Sequence, residues 1–337
     1  MKYVAVWWLA SVATLAGVGP ALAWGGTGHR WIGRAAIETL PDDLPTFLRT
    51  KAARDAVGEL SREPDRSRGS GKAHDSDRDP GHFVDGDDDG RLAEGPLLTA
   101  LPPTREEYET ALRAVGATSW KIGYLPYSIV EDWQQLKKDF AYWRADDGGA
   151  RHTSDPAHRA WLEADRAERE QQILVDIGTL SHFVGDGSMP LHVTVHFNGW
   201  GPYPNPNGYT TSPVHTPWEG TYVRLNVPYD AVLSRVGTFQ DCSCPIEQRA
   251  GAYLATTLAT VIPFYELEKS GAFREGGGKG LAYTADRLAA GATELRDEIV
   301  LAWRASEADT VGYKPMISVA DIEAGKVDPY DSLYGGD

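Results

Sequence analysis

The chain has 337 residues, with 33 Lys and Arg against 48 Asp and Glu, so its formal net charge is −15. That length suffices for one large core or two smaller ones. Such acidity excludes a broad basic surface for holding nucleic acid non-specifically, but it leaves a nucleic-acid hydrolase open, because bound cations reverse the field locally. Cys242 and Cys244 are the only cysteines, which excludes a disulfide framework and a cysteine-built structural metal site. Neighbours so close give the Cα separation of an ordinary disulfide with difficulty, which leaves a strained local bridge or two thiols.

Residues 1–23 read as an export signal. Lys2 gives a positive start, Val4 to Gly17 an apolar stretch, and Ala21-Leu22-Ala23 a cleavage rule that cuts before Trp24. The apolar run is short for a membrane span and no later segment is longer, so the expectation is an exported, periplasmic or extracellular protein without a transmembrane anchor. No Asn-x-Ser/Thr sequon occurs, which points to a bacterial exported protein.

Helical periodicity then recurs, with almost no strand-type alternation. It predicts helices over His29–Leu40 and over Leu44–Val57, with Pro45 in the first turn. Residues 58–102, rich in Gly, Pro, Asp and Arg, read as a long irregular loop of the kind that carries function. Thr104 and Glu107 form a capping box for a helix reaching about Val115. Further helices are expected over Ile129–Arg144, from Pro156 to about Gly187, and over Pro245–Lys269 and Leu281–Ser306. Residues 188–217 read as irregular. Gly276–Gly280 lacks Walker spacing and is read as a connector, and the tail from Lys314 as polar loop. The expected architecture is a single all-α, mostly helical domain over residues 24–313, with a C-terminal tail over 314–337.

Leu180–His192 holds three potential metal ligands. His182 and Asp186 stand at i and i+4, on one face of a helix, and Gly187 and Pro190 then turn the chain before His192. Imidazole with carboxylate suits zinc. At the predicted cut, the Trp24 amine and carbonyl could chelate a metal together with His29. Asp65 and Arg68, then His82, Phe83 and Asp85, lie in the first long loop, and His215 and Glu219 close the second irregular region. The acidic run Asp85–Gly90 fails the EF-hand template because position 12 is Pro96. His74, His152 and His158 sit in polar stretches and are expected to be exposed, whereas His196 could support a ligand.

Together these positions resemble the zinc-dependent S1/P1 nuclease family and its relative, bacterial zinc-dependent phospholipase C. The matching elements are WGxxGH at Trp24–His29, DxxR at Asp65–Arg68, HFxD at His82–Asp85, Hx3Dx5H at His182–His192 and Hx3E at His215–Glu219. They keep the family's order and span residues 24–219. The resemblance implies the family's mostly helical fold and three zinc ions. Asp65, His82 and His182 would bind one, and the Trp24 amine and carbonyl with His29 a second, with Asp186 bridging the two. His192, His215 and Glu219 would bind the third. It also implies hydrolysis of single-stranded DNA or RNA to 5′-phosphate products by a hydroxide between the bridged ions, with the third ion on the leaving oxygen. Arg68 would contact phosphate and, with Asp65 and Asp186, make up the catalytic set. Phe83 would stack on a base and Asp85 would bond its polar edge. No stable protein partner is implied.

Departures keep two alternatives open. Glu219 stands where the nucleases usually carry Asp, and Glu is what the phospholipase branch uses. Trp200, Tyr203 and Tyr209, in the loop Asn198–Tyr209, could stack bases or cover a lipid head group. Phospholipid is therefore the alternative substrate, and a non-catalytic exported zinc-binding protein is the alternative of another class.

Overall fold

Asp155 and Pro156 start the longest helix among the described residues. The Asp155 carboxylate accepts hydrogen bonds from the backbone amides of Ala157 and His158, and Pro156 occupies the first turn, where no amide proton is needed. The computed structural model describes residues 24–274 and 278–334. Residues 1–23, where an export signal is expected, and parts of the glycine connector and of the extreme tail lie outside the described residues.

The fold is all-α. Four long helices form its frame: α1 (Gly25–Glu38), α2 (Leu125–His152), α3 (Pro156–Ser188) and α4 (Gly278–Ser306). The last three are mutually packed, and α1 lies against both α3 and α4. Among the described residues the only strands are β1 (Thr310–Val311) and β2 (Ile317–Ser318), an antiparallel pair. No helix among those residues is long and apolar enough to cross a membrane. The polar N-terminal half of α3 is largely exposed, whereas its C-terminal end, from Ile173 to Ser188, is mostly buried among the other helices. The helix therefore carries its polar residues His182 and Asp186 into the core.

Several predicted boundaries move. The capping box at Thr104 and Glu107 forms, and the helix behind it covers Arg105–Ala114. The segment predicted as one helix over Leu44–Val57 is instead a 3-10 turn, Thr46–Arg49, and a helix, Lys51–Leu60. They divide at Thr50, whose extended backbone lets its hydroxyl cap Ala53. Pro245–Lys269 likewise splits into Ile246–Leu258 and Val261–Lys269. Pro263 cannot donate to residue 259, so it is accommodated only in the first turn of a new helix. The region 58–102 is not all irregular, for Glu63–Ser67 and Lys72–Arg78 are short helices.

The tail is not a loop. Val319 and Ile322, on the helix Val319–Glu323, are buried with Ala141 and Ala145 of α2, and Arg144 bonds Glu323 at 2.9 Å. His158 is held by the same segment, stacked on Tyr330 with ring centroids 3.8 Å apart. Cys242 and Cys244 are joined, with Cα atoms 5.1 Å apart, inside the usual disulfide range. Ser243 between them gives that separation by taking a positive φ of 50°.

Candidate metal centre

The end of α3 is fixed by Pro190, which disfavours helical geometry at the residue before it. Met189 is accordingly extended, and the 3-10 turn Pro190–His192 follows. His182, Asp186 and His192 are thus presented from one helix end, all buried. His29, one turn into α1, stacks on His182 with ring centroids 4.1 Å apart. That contact needs Gly185, because a β-carbon there would stand 2.9 Å from His29 Nδ1.

Asp65 arrives on Glu63–Ser67 and His82 on the 3-10 turn Asp79–His82. His82 is tied to the α3 end in both directions: His192 Nδ1 donates to the His82 carbonyl at 2.6 Å, and the Val84 amide donates to the His192 carbonyl at 2.8 Å. His215 opens the helical turn that carries Glu219, and the Asn198 carboxamide accepts from the Val214 and His215 amides at 3.1 and 3.2 Å. Glu219 lies in a widened π-type turn, Pro217–Tyr222, with its carboxylate 3.0 Å from His215 Nε2.

Three groups of side chains bring their ligand atoms within 4.8 Å of one another: His29, His182 and Asp186; Asp65, His82 and His182; and His192, His215 and Glu219. Every predicted ligand side chain except Trp24 therefore falls in one of them. Asp186 Oδ2 lies 3.1 Å from His82 Nδ1 and 3.4 Å from His182 Nε2, while Oδ1 lies 3.5 Å from His29 Nε2. Ligands 2.0–2.1 Å from a tetrahedral ion stand roughly 3.3 Å apart, so these separations suit a shared cation.

The proton positions support the same conclusion. A carbonyl oxygen only accepts, so the nitrogen facing it must carry the hydrogen. His182 Nδ1 donates to the Ser61 carbonyl at 2.9 Å, a helix-end group otherwise without a partner in its own helix. His215 Nδ1 donates to the Phe197 carbonyl at 2.9 Å. In His182, His192 and His215 the lone pair is thereby left on Nε2, the atom that a metal takes. The Nε2 atoms of His192 and His215 and Asp186 Oδ1 are buried without a hydrogen bond, a costly arrangement that a cation would relieve. Burial, then neighbouring imidazole charge, holds His82 and His192 well below the usual imidazole range; burial also lowers His182. Burial first, then the Asp65 and Glu219 carboxylates, pushes Asp186 well above the usual carboxylate range. Neutral imidazoles are the ligating form, and a bound cation favours the ionised carboxylate. These groups fit a metal ion.

Trp24 is buried beside the centre. Its indole donates to the Ser188 hydroxyl at 2.7 Å, its ring meets Trp218 edge-on at 5.0 Å, and its carbonyl accepts the Gly28 amide at 3.1 Å. The following residue, Gly25, approaches the Glu219–Gly220 backbone so closely that an added β-carbon would lie 3.3 Å from Gly220 Cα.

A cleft of about 460 Å³ opens over His82, His192 and His215, and Arg68, Phe83 and Asp85 line it too. Arg68 is oriented by Asp79, 3.2 Å from its Nε, and by Asp65 at 3.5 Å. Burial pushes the Asp85 carboxyl up to about 7. Trp120, Lys121, Leu191 and Phe197 complete the wall, with Trp120 and Phe197 62% and 49% exposed. Sequence reasoning selected other aromatics. Trp200 and Tyr209 are buried, Trp200 stacked on His196 and Tyr209 bonded to Glu266, so of the predicted loop only Tyr203 offers an exposed ring. His196 pairs with Asp88 at 3.2 Å rather than supporting a ligand imidazole. No signal in the sequence distinguished these rings; Asp79 could have been found as a second acid close to Arg68.

A scan against protein-family models finds no match, and a search of curated proteins finds none either.

Proposed function

We propose that this protein is an exported zinc-dependent phosphodiesterase that cleaves single-stranded DNA and RNA and leaves 5′-phosphates. The observation that carries the reading is that Arg68, Phe83 and Asp85 share one cleft with the ligands His82, His192 and His215. Cation ligands, a guanidinium, a ring and a polar acid together match a phosphodiester joined to a base. The resemblance to S1/P1 nucleases supports zinc as the metal and three as the number, with the Trp24 amine completing the group around His29. Zinc held there would supply a water of lowered pKa and Lewis-acid stabilisation of phosphoryl charge.

The protein's own groups do the positioning. Asp186 holds the His29 group and the His82 group together through its two oxygens. Arg68, oriented by Asp79 and Asp65, donates to a non-bridging phosphoryl oxygen as charge develops there. Phe83 stacks on the base on the 3′-oxygen side, and Asp85 bonds its polar edge. In the net reaction the oxygen of water joins phosphorus, the P–O3′ bond breaks and a proton ends on O3′.

Glu219 and the exposed rings of Trp120 and Phe197 favour a second reading, in which the same chemistry acts on phospholipid head groups. Incubation of the zinc-loaded protein with a single-stranded oligonucleotide and with phosphatidylcholine vesicles separates the two. The nuclease reading expects oligonucleotide cleavage with 5′-phosphate ends and intact lipid. Lipid turnover beside an intact oligonucleotide overturns it, and zinc binding with neither activity leaves a metal-binding protein.

A further inference from the structure

A second cavity, of about 650 Å³, adjoins the cleft, and His82 lines both. Two neighbouring pairs face opposite ways between them: Arg68 and Asp79 line the cleft, while Ser67 and Arg78 line the second cavity. Its volume is that of a small-molecule site.

Its chemistry repeats the kit already found in the cleft. Phe83 is matched by Phe183, half-buried and packed on His82 and His182 with ring centroids 5.4 Å away in each case. Asp85 is matched by Asp132 of α2, whose Oδ2 is buried without a hydrogen-bond partner. Burial, then the Asp176 and Glu131 carboxylates, pushes Asp132 up to about 8. Arg68 is matched by Arg78, exposed at the rim. A ring, a carboxyl with one buried unpartnered oxygen and an arginine beside a metal ligand suit a second nucleoside, whose base amines and sugar hydroxyls can donate to Asp132. A phosphodiester has two nucleosides to place, one on each side of its phosphorus.

We infer that the Asp132 cavity holds the nucleoside on the far side of the scissile phosphate, the one that keeps the 5′-phosphate. The inference rests on the nuclease reading. It makes Asp132, Phe183 and Arg78 determinants of preference for polynucleotides over simple phosphate diesters.

The test compares the zinc-loaded wild type with Asp132→Asn and Arg78→Ala. Two quantities are measured: the ratio of kcat/KM for a dinucleoside monophosphate to kcat/KM for bis(p-nitrophenyl) phosphate, which carries no nucleoside, and the Kd for adenosine 5′-monophosphate by equilibrium dialysis. Asp132→Asn keeps the side-chain shape and Arg78 lies at the surface, so zinc content and circular dichroism check that both variants fold. The inference expects Asp132→Asn to lower the ratio and weaken nucleotide binding by about 10-fold or more, the scale of a hydrogen bond to a charged or buried group, and Arg78→Ala to shift both in the same direction. A wild type that cuts the dinucleotide, with both quantities unchanged in the two variants, overturns the inference and leaves the nuclease reading intact. A wild type that neither cuts the dinucleotide nor binds the nucleotide overturns both.

Discussion

His82 Nδ1 lies 3.1 Å from Asp186 Oδ2, although the two residues are 104 positions apart in the chain. The other oxygen of the same carboxylate faces His29 Nε2 at 3.5 Å. One buried carboxylate thus lies against imidazoles of two ligand groups, and if it bridges them as proposed, losing its charge weakens both. Asp186→Asn is expected to lower metal content and to reduce activity by more than the about 10–100-fold cost of changing a group outside the ligand set. Metal analysis of the purified variant beside its rate checks this. Unchanged metal content with a wild-type rate contradicts the shared role.

Arg68 is paired with Asp65 and Asp79 and belongs to none of the three ligand groups, so its removal tests the phosphate contact separately from the imidazoles. Arg68→Ala is expected to keep the wild-type metal content and lose about 100–1,000-fold in kcat, the scale of removing one donor from a developing oxyanion. Arg68→Lys should recover only part, because an ammonium lacks the planar fork that Asp79 and Asp65 orient. A variant with full kcat shows that Arg68 does not meet the phosphate.

Phe83 separates the two candidate substrates. Phe83→Ala should raise KM for a single-stranded oligonucleotide by about 5–150-fold, the equivalent of losing one base stack worth about 1–3 kcal/mol. Steady-state kinetics measure this directly. An unchanged KM removes the base from this wall of the cleft.

Away from the centre, Asp146 is buried in α2, and burial, then the nearby Asp165 carboxylate, pushes it up to about 8. In the unfolded chain the same carboxyl ionises near 3.8. Between these values the folded chain binds more protons than the unfolded one, so stability is greatest at low pH and falls as pH rises through that window. The loss is at most about 1.4 kcal/mol per pH unit. Asp146→Asn should flatten the decline in urea midpoint between pH 5 and pH 8. An identical slope in the variant contradicts the shift.

The helical frame and the His182–Asp186 pair were legible because each rests on a short-range rule, whereas Asp65, His82, His215 and Glu219 stood out only through the resemblance of the whole set. His182 and Asp186 are one turn apart, Thr104 and Glu107 make a capping box, and Asp155-Pro156 is a helix start readable from two residues. What stayed hidden depends on distant partners. The sequence shows Trp120, Phe197, Trp200 and Tyr209 as equivalent rings, and only packing decides that the first two face the cleft while the last two are buried. The Ser61, His82 and Phe197 carbonyls that fix the imidazole protons are backbone groups, which no residue type announces. The tail looked polar because Val319 and Ile322 are sparse, yet burying two such side chains against α2 contributes about 3–6 kcal/mol, enough to dock a short helix.

The central claim is that the groups meeting at Asp186 form a zinc centre that cleaves phosphodiesters. The most direct test is to titrate zinc into chelator-stripped protein while following cleavage of a single-stranded oligonucleotide. The account predicts that 5′-phosphate products appear with added zinc and that the rate stops rising near three equivalents per chain. No cleavage at saturating zinc, or full cleavage with the chelator still present, would contradict it.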